Sequence, residues 1–557
     1  MFPFSSKKRY QNVKRYREIL FILIKYGFED IVDKLPVSLV IKKFSGRRLQ
    51  VIMALSPAQR LRLAIEELGP TFIKFGQVLS VRSDILPEDY LNELEKLQDE
   101  LPPFKSEDAK LIVERELRHT IKSLFRIFDE QPIATGSIAQ VHKALLKTGE
   151  YVAVKIQRPY IKEIIETDIG ILFDLANLLN QYIPSSRIYR PVEIVHQFAQ
   201  SIRRELDFIL EAQSVERFRR NFEGDNRIFV PKVYINFCSP KVLTVEYVDG
   251  IKISDIRSLK QVHADIKMIA HRAIEIYFKE IFEFKFFHGD PHPGNIFIIK
   301  DNVVAVIDYG ITGRLDDETA LMLNNLLTAF VNKDAQGMVN IFSMMDLLPA
   351  DIDMNNLKAD MAEVIDRYYY LTLGQLKLQS AFADMMGIIR RYHILFPTNL
   401  LLMIKVLIVL ESVARKLDPD VDIIGYMRPY VQTMMFRSFN VFEQLPRLVA
   451  YFRSFSLYLR LLPSDLRKII ARLKKGKAVV TLEHQGLDHM THVVDSASNR
   501  IAFAVVVASL IIGSSLVMQI DKGPMLFGFP IISFVGYLMA VVFGIWLLIQ
   551  MIYSGRF

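Results

Sequence analysis

A single cysteine, Cys238, stands in 557 residues. That scarcity excludes an intramolecular disulfide and any cysteine-rich metal site, and it suits a reducing compartment. Cys238 itself reads as a small buried hydrophobe. No secretory signal is expected either: the short apolar run at 19–24 is broken by Lys25, and no small-residue cleavage site follows. There is no internal repeat, no zinc finger and no RNA-recognition module. The net charge of +8 is therefore not assigned to nucleic acid.

Apolar residues make up 51% and charged residues 24%, which argues against disorder and against a fully polytopic membrane protein. The length exceeds one compact core, so two or more units are expected. Basic residues cluster at Lys7, Lys8, Arg9, Lys14, Arg15 and Arg17, and again at Arg467, Lys468, Arg472, Lys474, Lys475 and Lys477. Both clusters read as membrane-facing charge. Residues 501–520 and 525–553 carry no charge and flank the polar turn Asp521-Lys522-Gly523-Pro524. Each run is long enough to cross a hydrocarbon core of about 30 Å at about 1.5 Å per helical residue. Two transmembrane helices joined by a short turn are expected. Arg500 and Arg556 place both flanks in the cytoplasm by the positive-inside rule.

Upstream, residues 478–500 read as a polar linker, and residues 1–130 and 315–475 show helical apolar spacing, as in Leu400, Leu401, Ile404 and Leu407. Residues 151–156 and 241–247 alternate with period two and predict strands.

Phosphoryl chemistry needs a cation on the nucleotide phosphates, oxygen ligands for magnesium and a polar group near the acceptor. Val152-Ala153-Val154-Lys155 ends a strand with a lysine, placed as a kinase lysine is to reach the phosphates. His288-Gly289-Asp290-Pro291-His292-Pro293-Gly294-Asn295 has the Asp-x4-Asn spacing of a kinase catalytic loop. Asp308-Tyr309-Gly310 follows the strand-like 303–307, as a metal-binding aspartate of the DFG type does. Each fragment alone is weak, but their joint order predicts a magnesium–nucleotide site. Asp290 is its catalytic acid, Asn295 and Asp308 are its metal ligands, and ATP and Mg2+ are its cofactors. His288 and His292 are not read as a zinc pair, because Pro291 and Pro293 prevent a regular helix there.

The segment Ala134-Thr135-Gly136-Ser137-Ile138-Ala139-Gln140-Val141-His142 precedes the Lys155 strand, so its amides and Ser137 can cover the phosphates. Glu205, Asp207 and Glu211 fall on one predicted helix. Asp207 and Glu211 share a face there, and Glu205 diverges. One of these acids can pair with Lys155 and another with a different cation. The 56 residues from Lys155 to Glu211 require a helical insertion at roughly 160–200.

With Lys74-Phe75-Gly76-Gln77, Glu205-Leu206-Asp207 and the loop at 134–142, the chain resembles the UbiB family of atypical kinase-like proteins, and its C-terminal hairpin resembles the bacterial ubiquinone-biosynthesis branch. The resemblance implies that Glu211 pairs with Lys155 and that Glu205 faces Lys74. It also implies that an N-terminal extension crosses the cleft where a protein kinase admits its peptide. Gly136 departs from the family's alanine-rich loop and moves it toward an ordinary kinase loop.

The expected fold is α+β: a predominantly helical, two-lobed atypical protein-kinase-like domain. Its parts are a helical extension (1–130), an N-lobe with a helical insertion (131–250), a helical C-lobe (251–477), the linker (478–500) and a transmembrane hairpin (501–553). The resemblance implies an ATPase-like or kinase-like factor for ubiquinone biosynthesis at the bacterial inner membrane, its kinase-like domain and both termini cytoplasmic. Expected partners are isoprenoid quinone precursors, anionic lipid and other quinone-biosynthesis enzymes, with homodimerisation left open and no nucleic acid. A nucleotide-binding scaffold without turnover and a true protein or small-molecule kinase are the alternatives.

Overall fold

The structure, a computed structural model, describes residues 6–29, 54–97, 101–349, 352–369, 378–439 and 487–553, less 184–185, 187–188, 520–523 and 527–528. The chain divides into two compact units, Met1–Leu445 and Pro446–Phe557.

In the first unit an antiparallel sheet forms from β1 (Phe125–Phe128), β2 (Ala134–Thr135), β3 (Ala139–Leu146), β4 (Tyr151–Gln157) and β6 (Val242–Glu246). The order is β1-β3-β4-β6, with β2 on β3. The alternation in 151–157 buries Val152, Val154 and Ile156 completely, against Ala109 and Val113 of the Ser106–Leu117 helix. A strand inside the extension expected to be wholly helical is a correction: Phe125-Arg126-Ile127-Phe128 alternates and pairs with β3.

A second sheet of order β5-β10-β9-β7 combines Ile228–Phe229, Val303–Val306, Ile296–Ile299 and Ile251–Lys252. The turn between β9 and β10 places Asp301 and Asn302 at φ 63° and 57°, a region Asp and Asn tolerate better than most residues. Beside it, β8 (Phe286–His288) pairs with β11 (Thr312–Arg314). The two short pairings fold 288–312 back on itself and bring the two aspartate turns together. Beneath them runs the Ile266–Phe278 helix, whose Ile269, Ala270, Ala273, Ile274, Ile276, Tyr277 and Phe278 are all buried.

The insertion between β4 and Glu211 consists of the helices Ile161–Tyr182 and Pro191–Glu205. They share an apolar core with the Pro57–Leu68 and Pro70–Ser80 helices of the extension, through Ile65, Phe72, Ile73, Phe198 and Ile202. Arg15 belongs to the basic cluster expected to face a membrane. Instead it donates to Asp168 at 2.8 Å and 3.1 Å and to the Leu68 carbonyl at 2.6 Å, so one of those charges is spent inside the fold. The second basic cluster, at 467–477, lies outside the described residues.

In the second unit the Leu487–Val517 and Ile531–Tyr553 helices pack antiparallel. Phe503 meets Trp546 at 5.3 Å between centroids, and Gly536 lies directly against Ser514. Among the described residues, no helix is long and apolar enough to cross a membrane. The expected transmembrane hairpin is corrected accordingly, together with the inner-membrane placement and the cytoplasmic termini that rested on it. The first helix begins at Leu487 and carries Asp488, His489, His492, Asp495 and Arg500 through its first half. Its uncharged part then ends at Val517 rather than 520. In the second run, Met525–Leu526 and Phe529–Pro530 form a short strand pair, which delays the helix to Ile531. Described side chains stop there at Trp546. Of the expected linker, 478–486 lie outside the described residues, and 487–500 form the first part of the Leu487–Val517 helix.

Candidate active site

Lys155 stands on β4 between Val141 of β3 and Leu243 of β6. Its neighbours Val154 and Ile156 take the buried face, so period-two alternation sends Lys155 to the cleft face. Its Nζ donates to both carboxylate oxygens of Glu211, at 2.8 Å and 2.9 Å, and lies 3.5 Å from Asp308 Oδ1. Burial works against the Lys155 ammonium, but the charges of Asp308 and Glu211 outweigh it and raise the group above its ordinary value. Asp308 is held well below the usual carboxylate range: burial opposes this, and Lys155, the Gly310 N–H, His288 and Lys74 override it. The Gly310 N–H donates to Asp308 Oδ1 at 3.0 Å. About half of the Asp308 side chain remains accessible, toward the open cleft. Glu211 is buried, and burial pushes its carboxyl upward against the pull of Lys155.

The single helix expected to carry Glu205, Asp207 and Glu211 is two helices, Pro191–Glu205 and Phe208–Asn221. Asp207 is the N-cap of the second, its Oδ1 accepting from Ile209 N at 3.1 Å. An aspartate at the N-cap satisfies an otherwise orphaned amide two residues on better than it continues a helix. The break separates the acids. Glu205, at the end of the first helix, lies 2.6 Å from Lys74 Nζ, while Glu211, in the first turn of the second, meets Lys155. Lys74 sits on the Pro70–Ser80 helix.

Residues 289–295 form the loop between β8 and β9. Asn295 Nδ2 donates to Asp290 Oδ2 at 3.3 Å, and Ile307 N donates to the Asn295 carbonyl at 3.1 Å. His288 is buried and joins the two aspartate turns. Its Nε2 donates to the Asp308 carbonyl, and its Nδ1 accepts the Asp290 N–H at 3.1 Å. His292 is exposed and accepts from Gly294 N at 3.1 Å, a turn contact. Among the described residues no group of three or more His, Cys, Asp or Glu is placed to hold a metal ion. The donor set at 290–308 is of another kind. Asn295 uses its NH2 on Asp290, which leaves its side-chain oxygen for a cation, and Asp308 is anionic and open to the cleft. Two hard oxygens completed by phosphate and water suit Mg2+, which seldom takes an all-protein cage.

The loop at 134–142 divides by role. Gln140 accepts from Phe104 N at 3.0 Å and donates to His142 Nε2 at 2.8 Å, while His142 Nδ1 donates to the Asp129 carbonyl at 2.8 Å. Both side chains are buried and hold the loop to Phe104 and Asp129, while Ile138 packs into the core of the extension and insertion helices and Ala139 into the core around the second sheet. The tip differs. Ser137 is buried and its Oγ has no partner. Gly136 is tied by Arg158, which donates to its carbonyl at 2.9 Å. A buried hydroxyl without a partner costs about 1–3 kcal/mol, so Ser137 and the amides around it are the part of this loop suited to a phosphate.

Reading the sequence missed Glu280. It is buried, and its Oε2 accepts the His288 N–H at 2.9 Å. The signal was a lone acid among Ile276, Tyr277, Phe278, Ile281 and Phe282.

A lysine-bearing central strand ion-paired to a helix-borne glutamate, facing an Asp-x4-Asn loop and an Asp-x-Gly turn across a cleft, defines an atypical protein-kinase-like domain. Comparison with known proteins agrees. The ABC1 atypical kinase-like domain matches residues 96–342, the UbiB helical domain residues 361–422 and the ABC1/UbiB kinase-like C-terminal domain residues 485–553. The chain belongs to the UbiB family. It is 35% identical over 459 residues to a probable protein kinase UbiB of Pseudomonas fluorescens, covering 78% of this chain and 85% of that one. It is 33% identical over 548 residues to an uncharacterized protein of the hydrogenase 1 5' region of Clostridium pasteurianum, covering 98% and 99%. A Mycobacterium tuberculosis protein solved with erythromycin aligns at TM-score 0.37 and 24% identity, over 58% of this chain and 89% of that one.

Proposed function

We propose that this chain binds Mg-ATP and turns it over in support of ubiquinone biosynthesis, coupling turnover to the handling of prenylated quinone precursors. The observation that carries the reading is the meeting of Lys155, Glu211 and Asp308 within 3.5 Å across from the Asp290–Asn295 pair. Lys155 binds the nucleotide phosphates and Glu211 fixes its direction. Ser137 and the tip of its loop close over the phosphates. Asn295 and Asp308 hold the magnesium ion, which neutralises phosphate charge when bound. Asp290, fixed by Asn295, accepts the proton of the attacking water or hydroxyl. The quinone assignment rests on membership of the family.

Complementation tests the reading. In a strain lacking the chain, Asp308→Asn is expected to abolish both nucleotide binding by the purified protein and recovery of ubiquinone. Restored quinone synthesis by a variant that no longer binds nucleotide would refute turnover and favour a scaffold. Phosphotransfer to a small molecule is a second reading, supported by Gly136 at the loop tip, and its mark is radiolabel in a lipid product lost in Asp290→Asn.

A further inference from the structure

Behind the catalytic loop lies a buried polar group that none of the chemistry above uses. The Ile266–Phe278 helix ends in a π-helical turn, Lys279–Glu283, a distortion that re-aims side chains and recurs at functional sites. Here it sends Lys279 outward to Asp225 at 3.0 Å and turns Glu280 inward, to 1% exposure. Glu280 Oε2 takes the backbone N–H of His288. His288 in turn takes the N–H of Asp290 on one ring nitrogen and gives the other to the Asp308 carbonyl. One side chain therefore stands at the root of a hydrogen-bonded chain that ends on both aspartates.

We infer that Glu280 is a positioning residue for this site, setting Asp290 and Asp308 through His288 by the reach of its carboxyl oxygen rather than by charge. The surroundings favour reach over charge. No cation is paired with Glu280 among the described residues. The groups around it are Tyr277 and Tyr309, whose buried hydroxyls have no hydrogen-bond partner, and His288. Burial keeps the Glu280 carboxyl protonated at neutral pH, pushed up to about 8 against the His288 N–H. A neutral acid needs only to accept one N–H, and a glutamine of the same length accepts it equally well. An aspartate keeps the acid but stops one methylene short.

The inference rests on the proposed ATP turnover for its kinetic readout and has a second readout that does not. Purified full-length protein is compared with Glu280→Gln, Glu280→Asp and Glu280→Ala. Hydrogen exchange is measured over residues 286–291, and ATP affinity and hydrolysis in parallel. Glu280→Gln is expected to keep wild-type exchange and turnover. Glu280→Asp is expected to exchange the His288 and Asp290 amides about tenfold faster and to lose about tenfold or more in turnover, with ATP affinity within about threefold. A small misplacement far from the chemistry costs up to about a hundredfold. Glu280→Ala should follow Glu280→Asp where it folds, and the Gln–Asp contrast decides where it does not. Wild-type behaviour of Glu280→Asp, or a Glu280→Gln variant as impaired as Glu280→Asp, overturns the inference. Absence of hydrolysis in the wild type would count against the proposed function alone, and the exchange contrast would still judge the positioning role.

Discussion

Replacing Lys155 by methionine keeps most of the side chain's length and removes its charge, which strands two carboxylates. Glu211, 7% exposed, loses a cation at 2.8 Å and 2.9 Å, and Asp308 loses one at 3.5 Å. The two acids then share a cleft with no strand-borne cation between them. Breaking a fully buried pair from one side costs about 3–5 kcal/mol. Lys155 is 23% exposed and Glu211 can take up a proton, so the expected loss for Lys155→Met near neutral pH is about 2–3 kcal/mol. Because Glu211 is already pushed up by burial and rises further without Lys155, the deficit grows as pH rises, when keeping it protonated becomes harder. The double variant Lys155→Met/Glu211→Leu removes the stranded acid and should recover more than half of the loss. Urea unfolding of the full chain followed by far-ultraviolet circular dichroism measures all of these. A Lys155→Met loss below about 0.5 kcal/mol, the usual range for an inert surface change, would refute the reasoning. So would a double variant no more stable than the single one.

Gly313→Ala should destabilise the first unit by about 1–3 kcal/mol, as overpacking does. Its Cβ would lie 2.1 Å from the fully buried Phe287 ring directly opposite on β8, and thermal unfolding reads the result. Gly136→Ala should leave the melting temperature within about 1 °C of wild type, on the order of the smallest surface effects. The backbone there is not left-handed, and the nearest atom to the new Cβ is the Ala139 carbonyl at 3.5 Å. Any change in nucleotide affinity in that variant therefore reports the loop itself. Glu280, raised in the folded state to about 8, contributes stability that is complete below the ordinary carboxylate range and is lost as pH climbs toward that value. Between pH about 5 and about 9 the wild type should lose about 3–4 kcal/mol relative to Glu280→Gln, measured by urea midpoints across pH.

The parts of this site that announce themselves in sequence are those whose chemistry needs a fixed spacing. Asp290 and Asn295 lie five residues apart because both come from one loop, and Asp308 follows because one hairpin separates it from them. Lys155 shows through because β4 alternates. The break at Leu206–Asp207 did not show, since Glu205-Leu206-Asp207-Phe208 has no proline or glycine, and only the capping bond of Asp207 reveals it. Gln140 and His142 looked like loop residues, yet their partners Phe104 and Asp129 come from other elements, which spacing does not display. Glu280 was hidden for the same reason: its partner is a backbone amide eight residues on, reached through a π-turn that no local pattern marks. The hairpin erred in the other direction. Absence of charge measured the length of an apolar run, not where helix begins and ends within it.

That helix break also sets where Lys74 stands relative to Lys155. Glu205 and Glu211 are six residues apart and belong to different helices, so the junction between them fixes the spacing of Lys74 from Lys155. Lys74 is near enough to Asp308 to help hold that carboxyl ionised, while its helix packs on the insertion helices through Phe75 and Phe198, at 5.1 Å between ring centroids. The far end of the same segment is tied down too: Arg82 donates to Gln197 at 3.2 Å, and Arg390 donates to the Ser83 carbonyl at 2.8 Å. A helix anchored at both ends does not shift without breaking these partly buried bonds, each worth about 1 kcal/mol net. These tethers hold Lys74 at Glu205 and near Asp308, so the charge balance around Asp308 depends on a helix from outside the two sheets.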